Sequence, residues 1–344
     1  MSRKPDFEQE MNRRQEDIVH NLKKGSFLHK VSYIRILETH ISWIILTGKY
    51  AYKLKKEVKF GKVLDFSNLR LRKKFCQKEV MLNTALCGQM YQGVVKIIKI
   101  GNKYRFVNFN DPGKSLEYAV KMMELPQKFR MDNLIHLNKV NYHELDILIA
   151  TLVKFHNLTS TNARIRDFGK PKIMKSKIRE NFKTLSRLTK IDPIFEDRLI
   201  LFTKLNSRLF HQRIKEYRIR DIHGDLYLKN IFFLKGKFYM YDRIEFNDSL
   251  RYADVAEDVA HLAMDLQYNG RNDFQHYLIS NYIKKSNDKS LINLIYFMMC
   301  YKSCVRAKVS MFRASQFTDA TQKLEYISEA NQHIKLANEY LELF

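Results

Sequence analysis

Hydrophobic spacing changes character several times along the chain. Between Val31 and Val58 the apolar residues come in short β-rich runs, YIRILE, SWIILT and YAYKLKK, with a glycine turn at Gly48 between the last two. The stretch SNLRLRKKFCQKEVMLNTALC then places Leu69, Phe75, Val80, Leu82 and Leu86 at intervals that form one helical stripe. GVVKIIKIG, KYRFVNF and LEYAVKMMELP read as further strands, the last broken at Pro126. Beyond Pro126 the spacing is helical almost throughout. One island interrupts it: IHGDLYLKNIFFLKGKFYMYD reads as loop, strand, Lys-Gly turn and strand. Before all this, Pro5 to Lys24 reads as a helix, with acids in its first turn and Lys23-Lys24-Gly25 as its stop. The pattern therefore predicts an α+β chain: a helical extension over 1–25, a small five-stranded antiparallel lobe with one helix over 26–126, and a larger helical lobe over 127–344 that holds a β-hairpin.

Composition sharpens this only in places. The 344 residues are 45% hydrophobic and 28% charged, as expected of a folded chain with a real core. The opening residues are too polar for a signal peptide, and Leu291–Cys300 is about half the length needed to cross a bilayer. The four cysteines form no CxxC pair and no metal-ligand spacing, so buried free thiols in a reducing, cytoplasmic setting are expected, with no membrane partner.

The net charge of +24 changes the picture more. Lys49–Lys78 has eleven Lys and Arg against two acids, and Arg164–Lys190 has ten against two. Such clusters attract anions: a nucleotide, a phosphorylated metabolite, or weak contact with nucleic acid through the basic segments.

The chemistry lies in the island. Phosphoryl transfer from ATP requires a carboxylate for the attacking hydroxyl, oxygen ligands for Mg²⁺, and a lysine on the phosphates. Protein kinases supply the first groups as H-R-D-x-x-x-x-N, with a later Asp completing the metal site. Here His223-Gly224-Asp225 precedes Asn230 at the same five-residue interval, and Asp242 follows an Ile231–Leu234/Phe238–Tyr241 hairpin.

HGDLYLKN and YDRIEFND resemble the aminoglycoside phosphotransferase-like branch of the protein-kinase-like superfamily, in which Gly replaces the Arg of H-R-D. ETHISWIILTGKYAYKLKK, LDFSNLRLRKKFCQKE, YAVKMMELP, the stretch from YDRIEFND through LRYADVAEDVAHLAMDL, and VRAKV are similar to one prokaryotic group of that family. The similarity runs from about Val31 to Val309. Some members of the group carry a fused P-loop ATPase domain. The resemblance implies a protein-kinase-like two-lobed fold, with a nucleotide-binding first lobe and a second lobe bearing the catalytic loop.

It also implies roles. Asp225 would be the catalytic carboxylate, and Asn230 and Asp242 the Mg²⁺ ligands. Lys53, with Lys55 as the alternative on the same strand face, would meet the phosphates, and Glu79 would pair with that lysine. The backbone of Met123, Glu124 and Leu125 would hold the adenine of ATP. Asp258 would support the catalytic loop, and Glu245 and Asp248 would cap or brace rather than react. Arg306 and Lys308 are candidates for substrate contact. The loop Thr39-His40-Ile41-Ser42 lacks the glycines of a kinase phosphate loop, so its hydroxyls and amides would have to replace them. Lys229 stands just before Asn230, where relatives often have Gly.

Gly113-Lys114-Ser115 looks like the end of a Walker A motif. The glycine required five residues earlier is Asn108, so a turn is expected and no P-loop within these residues. A polycationic acceptor fits poorly with so basic a chain. The expected activity is ATP- and Mg-dependent transfer of the γ-phosphate to a hydroxyl of a small, anionic acceptor. Two alternatives stay open: a protein kinase acting on a macromolecule, and a non-catalytic nucleotide- or RNA-binding protein with this fold.

Overall fold

The computed structural model describes residues 15–61, 63–317 and 319–344. The chain separates into two compact units, one running to Pro126 and taking in Tyr241–Asn247, the other comprising Gln127–Met240 and Asp248–Phe344.

In the first unit, residues 15–22 form helix α1; the part of the expected opening helix before Gln15 lies outside the described residues. The strands are β1 (Arg35–Glu38), β2 (Ser42–Leu46), β3 (Tyr50–Lys55), the short ribbon β4 (Lys59–Phe60) and β5 (Leu64–Asp65), then β6 (Tyr91–Ile100), β7 (Lys103–Asn108) and β8 (Glu117–Met123). Six of them make one antiparallel sheet in the order β1-β2-β3-β8-β6-β7. The expected count of five is corrected to six. Only four residues long and exposed at both ends, β1 forms a sheet edge through its register with β2 rather than through burial of its own.

Strand alternation decides what β3 offers to each side. Tyr52 and Leu54 join a core with Ile18 and Leu22 of α1, Trp43, Ile45 and Phe106. Lys53 and Lys55 point the other way, toward α2 (Leu69–Cys87), and both are buried. The N-terminus of α2 is set by Asn68, whose side chain accepts the Leu71 N–H at 2.9 Å.

The second unit carries α3 (Met131–His136), α4 (Tyr142–Leu158), α5 (Ala163–Arg166), α6 (Pro171–Leu188), α7 (Ile194–Leu205), α8 (Ser207–Lys215), α9 (Asp248–Arg251), α10 (Ala256–Tyr268), α11 (Asn272–Ser286), α12 (Ile295–Ala314) and α13 (Ala320–Leu341). Among them lie the hairpin β10 (Ile231–Leu234) and β11 (Lys237–Met240), and the pair β9 (Ile219–Asp221) and β12 (Tyr252–Asp254). The β9–β12 pair corrects the expectation that the loop and hairpin are the one β island beyond Pro126. An asparagine capping box starts α4: Asn141 accepts the His143 N–H, and Glu144 reaches back to the Asn141 N–H.

A buried arginine ties this unit together. Arg213 is fully buried and grips Asp254 through Nε and Nη2 at 2.6 Å each, and Asp288 through Nη1 and Nη2 at 2.7 and 2.9 Å. All four cysteines are free and buried. No helix among the described residues is long and apolar enough to cross a membrane.

Candidate active site

The phosphate-lysine candidates, the helix glutamate and the carboxylate after the hairpin come together in the first unit. Glu79 offers Oε1 to Lys53 at 3.0 Å and Oε2 to Lys55 at 2.6 Å. Lys53 also contacts Asp242, and Lys55 contacts Glu245. Two ammonium groups thus face three carboxylates. The network is graded in exposure: the Asp242 side chain is 39% exposed and that of Lys53 10%, whereas Lys55 and Glu79 are sealed. Burial alone would lower the pKa of Lys53. The charges of Asp242, Glu79 and Glu245 outweigh it and hold the group well above its ordinary value. Burial raises the pKa of Glu245, which Lys55 opposes.

Asp242 adopts φ +63°, the left-handed region that Asp tolerates better than most residues. Its N–H donates to the Tyr91 hydroxyl at 3.3 Å, and the next amide, Arg243 N–H, donates to Asn83 Oδ1 at 2.9 Å. Helix α2 and the start of β6 therefore hold the segment after the hairpin. Glu245 pairs with Lys55, and Asp248 with Arg251.

At the end of β8, Glu124 closes the β2–β3 turn. Its Oε2 accepts the Thr47 and Gly48 N–H groups at 2.9 and 2.8 Å, and its own N–H donates to the Lys49 carbonyl at 3.1 Å. That amide is engaged within the sheet, while Met123 is exposed and Leu125 buried. The loop between β1 and β2 closes on itself: the Thr39 hydroxyl donates to the Ser42 carbonyl and accepts the Ser42 N–H. The Walker-like Gly113 turn presents carbonyls rather than amides. Lys96 Nζ donates to the Asp111 and Gly113 oxygens, which makes it a lysine-capped turn and not a phosphate cradle.

The second unit holds Asp225 and Asn230. Gly224 takes φ +88°. The His223 and Gly224 N–H groups both donate to Asp258, at 2.8 and 2.9 Å. His156 Nε2 is also hydrogen-bonded to Asp258, at 3.1 Å, and its Nδ1 to the Tyr282 hydroxyl, at 2.7 Å. Burial raises the pKa of Asp258, but the bonds from His156 and the nearby His223 outweigh it and leave the group below its ordinary value. The sequence DVAED thus lifts a carboxylate from the first turn of α10 under the His-Gly-Asp loop. Asn230 is buried, and its Nδ2 donates to the Asp225 carbonyl at 2.9 Å.

Several residues here had no sequence signal. His261, one turn beyond Asp258, is buried with neither ring nitrogen hydrogen-bonded, and its Nδ1 lies 3.8 Å from Asp225 Oδ1. Burial, reinforced by Lys302 and Arg306, drives its pKa well below normal, so the ring is neutral. Asp265, a turn further on, accepts the Leu228 N–H at 2.7 Å, and burial pushes its pKa up to about 6. Asp167-Phe168-Gly169 spells the metal-binding triplet of protein kinases but serves otherwise: Asp167 pairs with Lys170, and Gly169 packs where a Cβ would strike Ile219. Among the described residues no three His, Cys, Asp or Glu side chains stand as a metal cage. A cation delivered on a nucleotide requires only one or two protein oxygens, and the carboxylate of Asp242 and the amide of Asn230 are hard donors of that kind.

Solved structures share this arrangement of elements. A choline/ethanolamine kinase family protein from Mesorhizobium loti superposes at a TM-score of 0.51, with 8% identity, covering 96% of this chain and 99% of that one. A GDP complex of aminoglycoside 2'-phosphotransferase-IIIa superposes at 0.52, with 14% identity, covering 95% and 97%. The chain has the protein-kinase-like fold. No protein-family model matches it. An uncharacterised protein of Mycobacterium tuberculosis is 31% identical over 320 residues, 90% of this chain, and the chain spans 60% of that relative's length. Identities this low to the solved structures establish fold and leave activity to the site.

Proposed function

We propose that the protein is a nucleotide- and Mg²⁺-dependent phosphotransferase that moves a γ-phosphate to a hydroxyl of a small acceptor. The observation that carries this reading is Lys53 held between Glu79 and Asp242. A lysine–glutamate pair beside a metal-binding aspartate is the constellation protein kinases use for phosphoryl transfer. Lys53, rather than Lys55, is the phosphate lysine, because its carboxylate partner Asp242 is open to solvent whereas Lys55 is sealed between Glu79 and Glu245. When a nucleotide arrives, Lys53 exchanges Asp242 for phosphate oxygens. Asp242 and Asn230 would each offer an oxygen to Mg²⁺, which would neutralise charge on the phosphates.

Asp225 orients the acceptor hydroxyl and takes its proton as the new P–O bond forms and the nucleoside diphosphate leaves. Asp258 fixes the loop that presents it, through two backbone amides. That one of the similar solved structures is a GDP complex supports nucleotide use. The test is labelled-phosphate release from γ-labelled ATP and GTP with Mg²⁺, comparing wild type with Asp225→Asn and Asp242→Asn. Turnover should fall by about 10²–10⁴-fold in Asp225→Asn, the range for loss of a general base. Nucleotide binding that needs no Mg²⁺ and is unchanged in Asp242→Asn would sink the assignment.

A further inference from the structure

Beside the proposed catalytic loop lies a cavity of about 290 Å³, at the small end for ligand sites. Its wall includes Tyr227, Lys229, Asp265, Tyr268, Arg306 and Glu329. Tyr227 and Lys229 lie between Asp225 and Asn230 in the loop, and the Arg306 guanidinium sits 4.7 Å over the Tyr227 ring. The charge of Asp225 also acts on Arg306, so the cavity adjoins the loop that presents the proposed catalytic carboxylate.

The charges around the cavity are matched. Three carboxylates line it: Asp132, Asp265 and Glu329. Arg130 holds both Asp132 oxygens, through Nε at 2.6 Å and Nη2 at 2.8 Å. Arg306 Nη2 donates to Glu329 at 3.0 Å. Asp265, bound to the Leu228 N–H, faces the positive charges of Arg306 and Lys229. His136 completes the titratable groups of the wall. With Arg130 counted behind Asp132, Lys229 and Arg306 of the wall bring three cations to its three carboxylates. None of the basic Arg164–Lys190 segment, which gave the chain its anion-seeking character, lines the cavity.

A cationic acceptor would find Asp132 and Glu329 already paired with arginines, and a dianion would find Arg306 already engaged by Glu329. Uncharged hydroxyls suit such a wall, because they donate to carboxylates and accept from guanidinium, ammonium and the Asn269 amide at once. We infer that this cavity is the acceptor site and that it takes an uncharged, monosaccharide-sized polyol. The inference rests on the phosphotransferase reading and replaces the anionic acceptor expected from net charge.

The full chain with Mg-ATP or Mg-GTP is assayed for nucleotide turnover alone and with three probe sets: neutral polyols (glucose, ribose, inositol), a cationic amino sugar (glucosamine), and a dianionic sugar phosphate (glucose 6-phosphate). A neutral polyol should raise turnover above the basal rate and appear as labelled product, with the charged probes at least about tenfold less effective. Glu329→Gln, which leaves the wall one unit positive, should move preference toward the sugar phosphate. Arg306→Gln should move it toward the amino sugar. Opposite shifts cannot come from simple loss of folding. Preference of the wild type for a charged probe, basal turnover unmoved by every neutral polyol, or equal losses on all probes in both variants overturns the inference. Failure to bind any nucleotide would instead strike the phosphotransferase reading itself.

Discussion

Lys55 and Glu79 are joined by a 2.6 Å ion pair in which neither side chain is more than 1% exposed. Lys55 also meets Glu245, from the segment that carries Asp242, so a lysine on β3 anchors a piece of chain 190 residues away. Lys53, two residues earlier, shares Glu79 but reaches an open carboxylate. The two lysines therefore separate by task. Lys55→Ala leaves Glu79 and Glu245 buried against each other and should cost about 3–5 kcal/mol, the range for breaking a buried pair from one side. Lys53→Ala should cost less stability and remove nearly all turnover. Denaturant melts and turnover on both variants decide it. Equal stability losses would show that the two lysines are structural equivalents.

How much of this could be read beforehand follows distance along the chain. Asp225, Asn230 and Asp242 lie within one loop and hairpin, so their spacing is printed in order. Strand alternation put Lys53 and Lys55 on one face, but which of them reaches an open carboxylate depends on Asp242 and Glu245, whose approach to β3 no local pattern records. His261 and Asp265 were invisible for a similar reason. On an α10 buried through nearly its whole length, polar residues carry no helical stripe to mark them. The β9–β12 pair consists of two three-residue strands joined by register alone, too short to alternate. Net charge sums lysines over the whole surface, whereas the cavity proposed for the acceptor sets Asp132, Asp265 and Glu329 beside Lys229 and Arg306.

Asp258 should prove a positioning residue. Its two oxygens accept the His223 and Gly224 amides, and Asn can keep only one such acceptor. Asp258→Asn should lower kcat by about 10–100-fold, the scale typical of outer-shell supports, with little change in KM for nucleotide. Its lowered pKa gives a sign for pH as well. A carboxylate whose folded pKa lies below its unfolded value stabilises the fold above the latter and loses that contribution as pH falls through the former. Wild type should therefore lose stability relative to Asp258→Asn as pH drops below about 4. A kcat unchanged in the variant would remove Asp258 from the catalytic loop's support.

Arg213 provides a control for fold without chemistry. It is fully buried on Asp254 and Asp288 and touches none of the proposed reacting groups. Arg213→Met strands two carboxylates and should cost about 3–5 kcal/mol. Turnover per folded molecule, measured well below the melting temperature, should stay near wild type. A variant that keeps its stability would mean that water relieves the two carboxylates.

Asp265 should behave oppositely to Asp258. Burial raises its folded pKa to about 6, above the ordinary carboxylate value of 3.8. A group raised in this way favours the fold fully below its unfolded pKa and progressively less as pH rises through its folded pKa. Ionised Asp265 therefore burdens the protein at pH 7 by about 3 kcal/mol relative to pH 4. Asp265→Asn keeps an oxygen for the Leu228 N–H and removes the charge. The variant's stability relative to wild type should rise between pH 4 and pH 6 and level off above, as urea melts across that range would record. A difference that is flat with pH would place the Asp265 titration at its ordinary value and leave the carboxylate fully ionised beside Lys229 and Arg306 from pH 5 upward.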